Sequence, residues 1–390
     1  MDRKQRRTLH RHRFLWRLLQ GPIRLIMRLH YGPMRMERAP ELEGAYIVLP
    51  NHTCGGDQFF VAVAFPRKQM YFVASEHAFR KKLMGALMRW VFGPIPRAKG
   101  TLAAGTTKTL LRWLKEGVPI CIFPEGNRTW DGRTGPLHPT TAKLLRAAGV
   151  PVMTYRIEGG YLSDPRWSKS LRRGKIHGET VNVYSPEELK KMSPEEISAR
   201  IAEDLWVDAA AGQEKEPVSF RGKRMAEGLE EALFLCPSCG GLGTLRGEGN
   251  DFCCTCGLRA TYDEFGFLHG DAPFRTVAAW NDWQLRRLPA LAAQGITLSD
   301  EGAELWKIHE GFREELLAEG RVTLDSAGLR LGPVSFPLGD MGDAELCHLA
   351  GRETMVFTVP EGNIELRFRG SPSRRKYQLL LKEFKALGTE

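Results

Sequence analysis

The segment Asn51-His52-Thr53-Cys54-Gly55-Gly56-Asp57 brings an imidazole, a thiol and a carboxylate close together in sequence. A histidine held by a carboxylate is the form that takes a proton from a hydroxyl. On a continuous helix, a spacing of five residues would turn His52 and Asp57 about 140° apart, too far to bond. Gly55-Gly56 argues against such a helix. The segment is therefore expected to be a strand-to-helix turn, with Asp57 capping a helix through Gln58-Phe59-Phe60. A tight turn can return the carboxylate to the imidazole. Two other readings stand beside this one: a loop histidine next to a plain helix cap, and a Cys54–His52 nucleophilic pair.

Phe123-Pro124-Glu125-Gly126-Asn127-Arg128-Thr129 follows the apolar run Val118–Phe123. It sets a carboxylate, a glycine and a guanidinium at the carboxyl end of an expected strand, where open α/β sheets bind ligands. Arg128 can grip a phosphate through two bonds; a surface turn with an exposed ion pair is the alternative. Gly93-Pro94-Ile95-Pro96-Arg97-Ala98-Lys99 is a stiff loop ending in cations, and Val150-Pro151-Val152 opens another apolar run.

These segments need elements to hold them. Strands are expected at Ala45–Leu49, Met70–Ala74, Pro119–Phe123, Pro151–Ile157 and Thr180–Tyr184. Helices are expected at Phe79–Val91, Leu102–Glu116 with Thr101 as cap, and Thr141–Ala148. Such alternation predicts an α/β domain with a mixed or parallel sheet. Ser193-Pro194-Glu195-Glu196 reads as a capping box opening a helix that reaches Ala211.

In order and spacing, the four segments resemble the lysophosphatidate (1-acylglycerol-3-phosphate) acyltransferase family across about residues 40–211. Asn51-His52 with Asp57 is similar to its His-x4-Asp motif, and Phe123 through Arg128 to its Phe-Pro-Glu-Gly-x-Arg block. Gly93–Arg97 and Val150–Val152 are similar to the remaining two. The resemblance implies an enzyme that moves a fatty acyl group from an acyl-CoA or acyl-carrier-protein thioester onto a lysophospholipid hydroxyl, giving phosphatidic acid. It implies His52 as general base and Asp57 as its orienting partner. Arg97 and Arg128 would hold the acceptor phosphate, and Glu125 would position the acceptor or the Arg128 side chain. Gly126 falls in the same substrate-binding block, and its N–H, with those of Asn51–Gly56, is a candidate donor to the carbonyl oxygen. Cys54 stands where the family often has Ser, Asn127 where Thr is usual, and Ile95-Pro96 in place of a Phe-Ile-Asp run. These differences leave the chemistry intact and bear on the acceptor. Other lysolipids, glycerol-3-phosphate or a non-catalytic membrane adaptor are the competing readings.

Five of the eight cysteines lie between positions 236 and 256. Cys236-x2-Cys239 and Cys253-x2-Cys256, each pair followed by glycine, fit a structural zinc site of four thiolates resembling a zinc ribbon. Between the pairs, Arg246 stands with Glu248 and Asp251, without the basic-aromatic patch that nucleic acid requires.

The chain carries 56 Lys+Arg against 46 Asp+Glu, an excess that calls for an anionic partner. Most of it sits in residues 1–40, where eleven Lys and Arg face only Asp2 and Glu37. Gly21-Pro22 is expected to split this region into two short amphipathic helices, suited to an anionic membrane surface or else packed on the chain's own domain with a solvated charged face. No apolar run is long enough for a transmembrane helix, and arginines interrupt every stretch that could serve as a signal peptide. The expectation is a peripheral or monotopic protein on the cytoplasmic face of a membrane. The organisation read from sequence is docking helices at 1–40, the acyltransferase domain at 41–211 and a linker at 212–232. A zinc ribbon at 233–262, a helical segment at 263–320 and a mainly-β domain of pleckstrin-like shape with a terminal helix at 321–390 follow. The C-terminal cluster Arg367, Arg369, Arg374, Arg375 and Lys376 reads as a solvated face or a membrane contact.

Overall fold

The computed structural model describes residues 3–75, 82–97, 104–349, 352–370 and 373–388. Two compact units account for the chain: residues 1–97, 103–225 and 262–267 form one, and 226–261 with 268–390 most of the other.

The first unit is built on a seven-stranded sheet, ordered β1-β7-β6-β2-β5-β3-β4. Its strands are β1 (Met34–Met36), β2 (Ile47–Pro50), β3 (Tyr71–Ser75), β4 (Ile95–Arg97), β5 (Ile120–Cys121), β6 (Val152–Glu158) and β7 (Ile176–Tyr184). β6 and β7 pair antiparallel and the other neighbours pair parallel, so the sheet is mixed, as predicted. Parallel strands bury both faces, and successive side chains alternate between them. Val48 joins a core with Tyr46, Phe60 and Tyr155, while Ile47 and Leu49 join another with Leu110, Leu145 and Ile197.

α1 (Arg3–Tyr31) packs against the first of these cores through Trp16, Ile23, Met27 and Tyr31. It is one helix, not the two that Gly21-Pro22 led us to expect. The buried positions Leu9, His12, Trp16, Ile23, Met27 and Tyr31 keep a helical period straight through the proline. Packing along that stripe outweighs the lost N–H at Pro22. The indole of Trp16 also donates to the Phe65 carbonyl at 3.0 Å. Residues 1–40 are thus not a separate domain.

α2 (Asp57–Ala64), α3 (Lys82–Val91), α4 (Ala104–Lys115), α5 (Thr141–Ala148) and a one-turn α6 (Gly160–Ser163) connect the strands. The predicted helices Phe79–Val91 and Leu102–Glu116 begin outside the described residues, as do the Thr101 cap and the loop residues Ala98 and Lys99. α7 (Pro186–Lys191) and α8 (Pro194–Leu205) each start with a complete capping box, from Ser185 and Ser193. α8 stops at Leu205, short of the expected Ala211, and α9 (Ala209–Lys215) is a separate helix capped by Asp208. The expected linker at 212–232 is folded chain: Gln213, Phe220, Ala226 and Leu229 are buried, and the boundary between units falls after Met225.

The second unit begins with a four-stranded sheet of β8 (Leu245–Glu248), β9 (Asp251–Cys254), β10 (Arg259–Tyr262) and β11 (Leu268–Gly270), the first three paired antiparallel. α10 (Val277–Ala293) follows, capped by Thr276, and buries Trp280 and Leu288. The predicted helical segment ends there. Leu305 and Ile308 lie on β12 (Leu298–Ile308), and Leu316 and Leu317 on β13 (Glu314–Asp325). Nine residue pairs register these two strands in a hairpin, so pairing overrides the helix-like spacing of their leucines. β14 (Gly328–Leu331), β15 (Val334–Pro337), β16 (Glu345–Leu349), β17 (Arg352–Val359) and β18 (Gly362–Phe368) complete an antiparallel sheet ordered β15-β14-β13-β12-β18-β17-β16. α11 (Arg374–Leu387) buries Tyr377, Leu380, Leu381 and Phe384. The expected β region with a terminal helix is present.

Four residues of the basic cluster there are held in ion pairs, and Arg369 among them stays exposed. Arg367 pairs with Glu365 at 2.6 Å and Glu314 at 2.8 Å, and Arg369 with Glu304 at 2.6 Å. Arg374 is buried against Glu231, and Lys376 reaches Asp300 at 2.6 Å.

Candidate active site

The parallel strands β2, β5 and β4 bring three predicted segments to one edge of the first sheet. β2 delivers Asn51 and His52, and β5 leads into Phe123–Arg128. β4 ends on Arg97, whose side chain lies outside the described residues. Asn51 locks its position by bonding both the carbonyl and the N–H of Ile157, at 2.9 and 2.7 Å.

The turn after β2 closes as predicted. His52 Nδ1 lies 2.7 Å from Asp57 Oδ2. Asp57 is the first residue of α2, with Gly56 at the cap position, so it does not cap that helix. It holds the turn that precedes it. Its fully buried carboxylate accepts the N–H groups of Thr53 and Cys54 at 2.6 and 2.9 Å and the Thr53 hydroxyl at 2.6 Å. The His52 ring stacks on Phe123, with centroids 4.3 Å apart, and keeps 20% of its side-chain surface exposed. Burial lowers the His52 pKa, Asp57 opposes that shift, and the charges of Arg128 and Arg166 reinforce it.

Glu125 points to the histidine backbone. One carboxylate oxygen accepts the N–H of His52 at 2.6 Å and the other that of Gly135 at 2.7 Å. Burial pushes its pKa up to about 8, against the opposing effect of the two N–H groups. Thr129 N–H donates to the His52 carbonyl at 3.0 Å, so the 123–129 loop grips the peptide groups on both sides of His52. The Arg128 guanidinium approaches Gly55: a Cβ built there would sit 3.6 Å from its Nη1. Gly126 N–H turns back to the Phe123 carbonyl.

Cys54 is not placed as a nucleophile. Its thiol is fully buried and faces Asp57 Oδ1 at 3.4 Å, and burial with the nearby carboxylates holds its pKa well above the ordinary thiol value. A thiol that resists ionisation is a poor attacking group.

One element escaped sequence reading. After β6 the chain turns through Gly159-Gly160 into α6, which packs against the His52–Asp57 turn. A Cβ at Gly160 would meet Thr53 Oγ1 at 2.1 Å, so only glycine fits. This brings Asp164 and Arg166 to the site. Asp164 Oδ2 accepts the Gly55 N–H at 3.2 Å. Arg166 is buried, lies 4.4 Å over the Trp130 ring and donates to the Arg128 carbonyl at 3.5 Å. The paired glycines at a strand's carboxyl end were the available signal.

In the second unit, Cys236, Cys239, Cys254 and Cys256 bring their sulfurs within 4.8 Å of one another. This corrects the expected ligand Cys253 to Cys254. β9 alternates its side chains, and its burial pattern makes Cys254 buried and Cys253 half-exposed. The Cys236–Cys256 and Cys239–Cys254 sulfurs are 3.8 Å apart. A tetrahedron with metal–sulfur bonds of about 2.3 Å has edges of about 3.8 Å, so the four thiols fit zinc.

Residues 32–158 match the family model described as Acyltransferase. Among solved structures, the 1-acyl-sn-glycerophosphate (LPA) acyltransferase PlsC of Thermotoga maritima aligns with a TM-score of 0.39 at 20% identity, over 52% of this chain and 83% of that one.

Proposed function

We propose that this acyltransferase moves a fatty acyl group from a thioester, carried by coenzyme A or acyl carrier protein, to the free hydroxyl of 1-acylglycerol-3-phosphate. The observation that carries the reading is the 2.7 Å contact between His52 Nδ1 and Asp57. It commits Nδ1 to the carboxylate and leaves Nε2 to receive a proton. Burial keeps the ring neutral near pH 7, ready to act as a base.

The acceptor hydroxyl attacks the thioester carbon while His52 Nε2 takes its proton. The tetrahedral intermediate then collapses, the C–S bond breaks, and the thiolate leaves to recover a proton. A simple thiol has a pKa of about 8.5, so this departure needs little acid assistance. Asp57 fixes the tautomer and steadies the imidazolium. Glu125 acts on the histidine backbone in this scheme, a role beyond the positioning of acceptor or Arg128 expected from sequence. Arg128, with Arg97 on the same sheet edge, supplies positive charge for the acceptor phosphate.

The substrate lipids place the protein at a membrane surface. No helix among the described residues is long and apolar enough to cross a membrane. α1 instead exposes Phe14, Leu18, Leu25, Ile26 and Leu29 among the exposed cations Arg13, Arg17, Arg24 and Arg28. Apolar groups interleaved with arginine suit the headgroup layer of an anionic bilayer. Cys236, Cys239, Cys254 and Cys256 would hold a Zn²⁺ whose role is structural, since four thiolates would fill its coordination.

The deciding experiment is acyl transfer from oleoyl-coenzyme A to lysophosphatidate in mixed micelles, wild type beside His52→Ala. Transfer that disappears in the variant supports the reaction and its base. Equal activity in both removes His52 from the mechanism. Transfer only to a different acceptor replaces lysophosphatidate in this reading.

A further inference from the structure

Three consecutive amides of the His52–Asp57 turn point at carboxylates. Those of Thr53 and Cys54 go to Asp57, and that of Gly55 goes to Asp164, from another part of the fold. Asp164 stands at the end of α6, whose first residue fits against Thr53 only as glycine. The same Asp164 oxygen lies 3.4 Å from the Tyr31 hydroxyl, the donor at the end of α1. Tyr31 is itself buried, edge-on to Phe60 of α2 at 5.0 Å, and a Cβ at Gly56 would meet its hydroxyl at 2.6 Å. The turn is therefore flanked by α6 on one side and the end of α1 on another, with Gly55 at the surface.

We propose that Asp164 is a positioning residue for acyl transfer, clamping the outer half of the His52–Asp57 turn and, through Tyr31, tying it to α1. The inner half is fixed by Asp57, with Glu125 and Thr129 on the His52 backbone. On the outer half, Asp164 adds to the contacts of Gly56 N–H with Cys54 and of the Gly55 carbonyl with Gln58, and restricts the glycine pair whose rotation would turn the imidazole. Asp164 acts here as a hydrogen-bond acceptor toward one N–H and one O–H. An amide oxygen in the same place can fill both roles.

This assignment rests on the acyl-transfer reading for its kinetic arm and is independent of it for its structural arm. The full-length proteins compared are wild type, Asp164→Ala, Asp164→Asn and Tyr31→Phe. In the micelle assay, Asp164→Ala lowers kcat by about ten- to hundredfold with the acceptor KM within about twofold, as a misaligned base does. Asp164→Asn restores most of kcat, and Tyr31→Phe falls between it and wild type. In hydrogen–deuterium exchange, the Gly55 amide exchanges up to about tenfold faster in Asp164→Ala, the worth of one hydrogen bond, and close to the wild-type rate in Asp164→Asn. An Asn variant as defective as Ala overturns the proposal, because the charge would then be the required feature. So does a loss confined to KM, or unchanged exchange at Gly55. If the wild type transfers no acyl group to any acceptor, the function reading fails while the exchange arm still decides the clamp.

Discussion

Glu125 accepts the backbone N–H of His52 at 2.6 Å, so the loop after β5 supports the turn after β2. Two segments separated by 73 residues meet at a single peptide. A glutamine puts an amide nitrogen, which cannot accept, where one Glu125 oxygen receives an N–H. Glu125→Gln is expected to cost about 1–3 kcal/mol of stability, measured by urea unfolding, and to lower kcat at least tenfold.

Glu125 also shapes stability against pH. Its folded pKa is raised to about 8, so over the interval above the ordinary carboxylate range the folded protein holds a proton that the unfolded chain has released. Its contribution is fully present below about pH 4 and is lost as the pH rises toward about 8. The difference between wild type and Glu125→Gln in unfolding free energy, measured from pH 5 to 9, is expected to shrink with rising pH. A pH-independent difference would deny the raised pKa.

His52→Ala removes the proposed base and is expected to reduce turnover by about 10²–10⁴-fold with the near-ultraviolet circular dichroism unchanged. The acid limb of kcat/KM in the wild type lies below pH 6.5, since the histidine pKa is lowered. Arg128→Gln removes one of the charges that lowers it. The limb should move upward and the KM for a phosphorylated acceptor should rise, while a non-phosphorylated acceptor keeps its KM.

The zinc reading makes a distinction between adjacent residues. The purified chain is expected to carry one zinc, and Cys254→Ser to lose it, with 4-(2-pyridylazo)resorcinol reporting the released metal. Cys253→Ser should keep a full complement. The reverse result would restore the ligand set expected from spacing alone.

Membrane docking is best tested by surface substitutions. Leu25→Glu with Ile26→Glu changes two exposed residues and leaves the buried stripe Trp16, Ile23 and Met27 in place. The double variant should lose binding to vesicles containing anionic lipid and keep its melting temperature. Unaltered binding would place the contact elsewhere, with exposed Leu87 and Trp90 of α3 the next candidates.

The site was legible in sequence where chemistry and turn geometry coincide. His52, Gly55-Gly56 and Asp57 can close on one another within a few residues, so local rules sufficed. The contact of Glu125 with the His52 backbone was not legible, because it depends on two strands being neighbours in a parallel sheet. Asp164 was missed for the same reason: its value lies in what Gly160 lets it approach. Cys253 and Cys254 show a different limit. Spacing favoured the regular pair, and the strand's alternation chose the other thiol. On α1, attention to Gly21-Pro22 concealed a buried stripe that runs through both, and the leucines of β12 and β13 mimicked a helix because spacing carries no record of pairing.

The amides of residues 52–56 are all engaged: His52 with Glu125, Thr53 and Cys54 with Asp57, Gly55 with Asp164 and Gly56 with Cys54. An inhibitor that mimics the tetrahedral intermediate with a negatively charged phosphonate would find no vacant donor along this stretch. Its affinity would have to come from the guanidinium groups and from the apolar chain, and it would compete with the acceptor's phosphate for the same cations. Compounds that instead bond to His52 Nε2 and stack beside Phe123 would exploit the part of the turn that the fold leaves uncommitted.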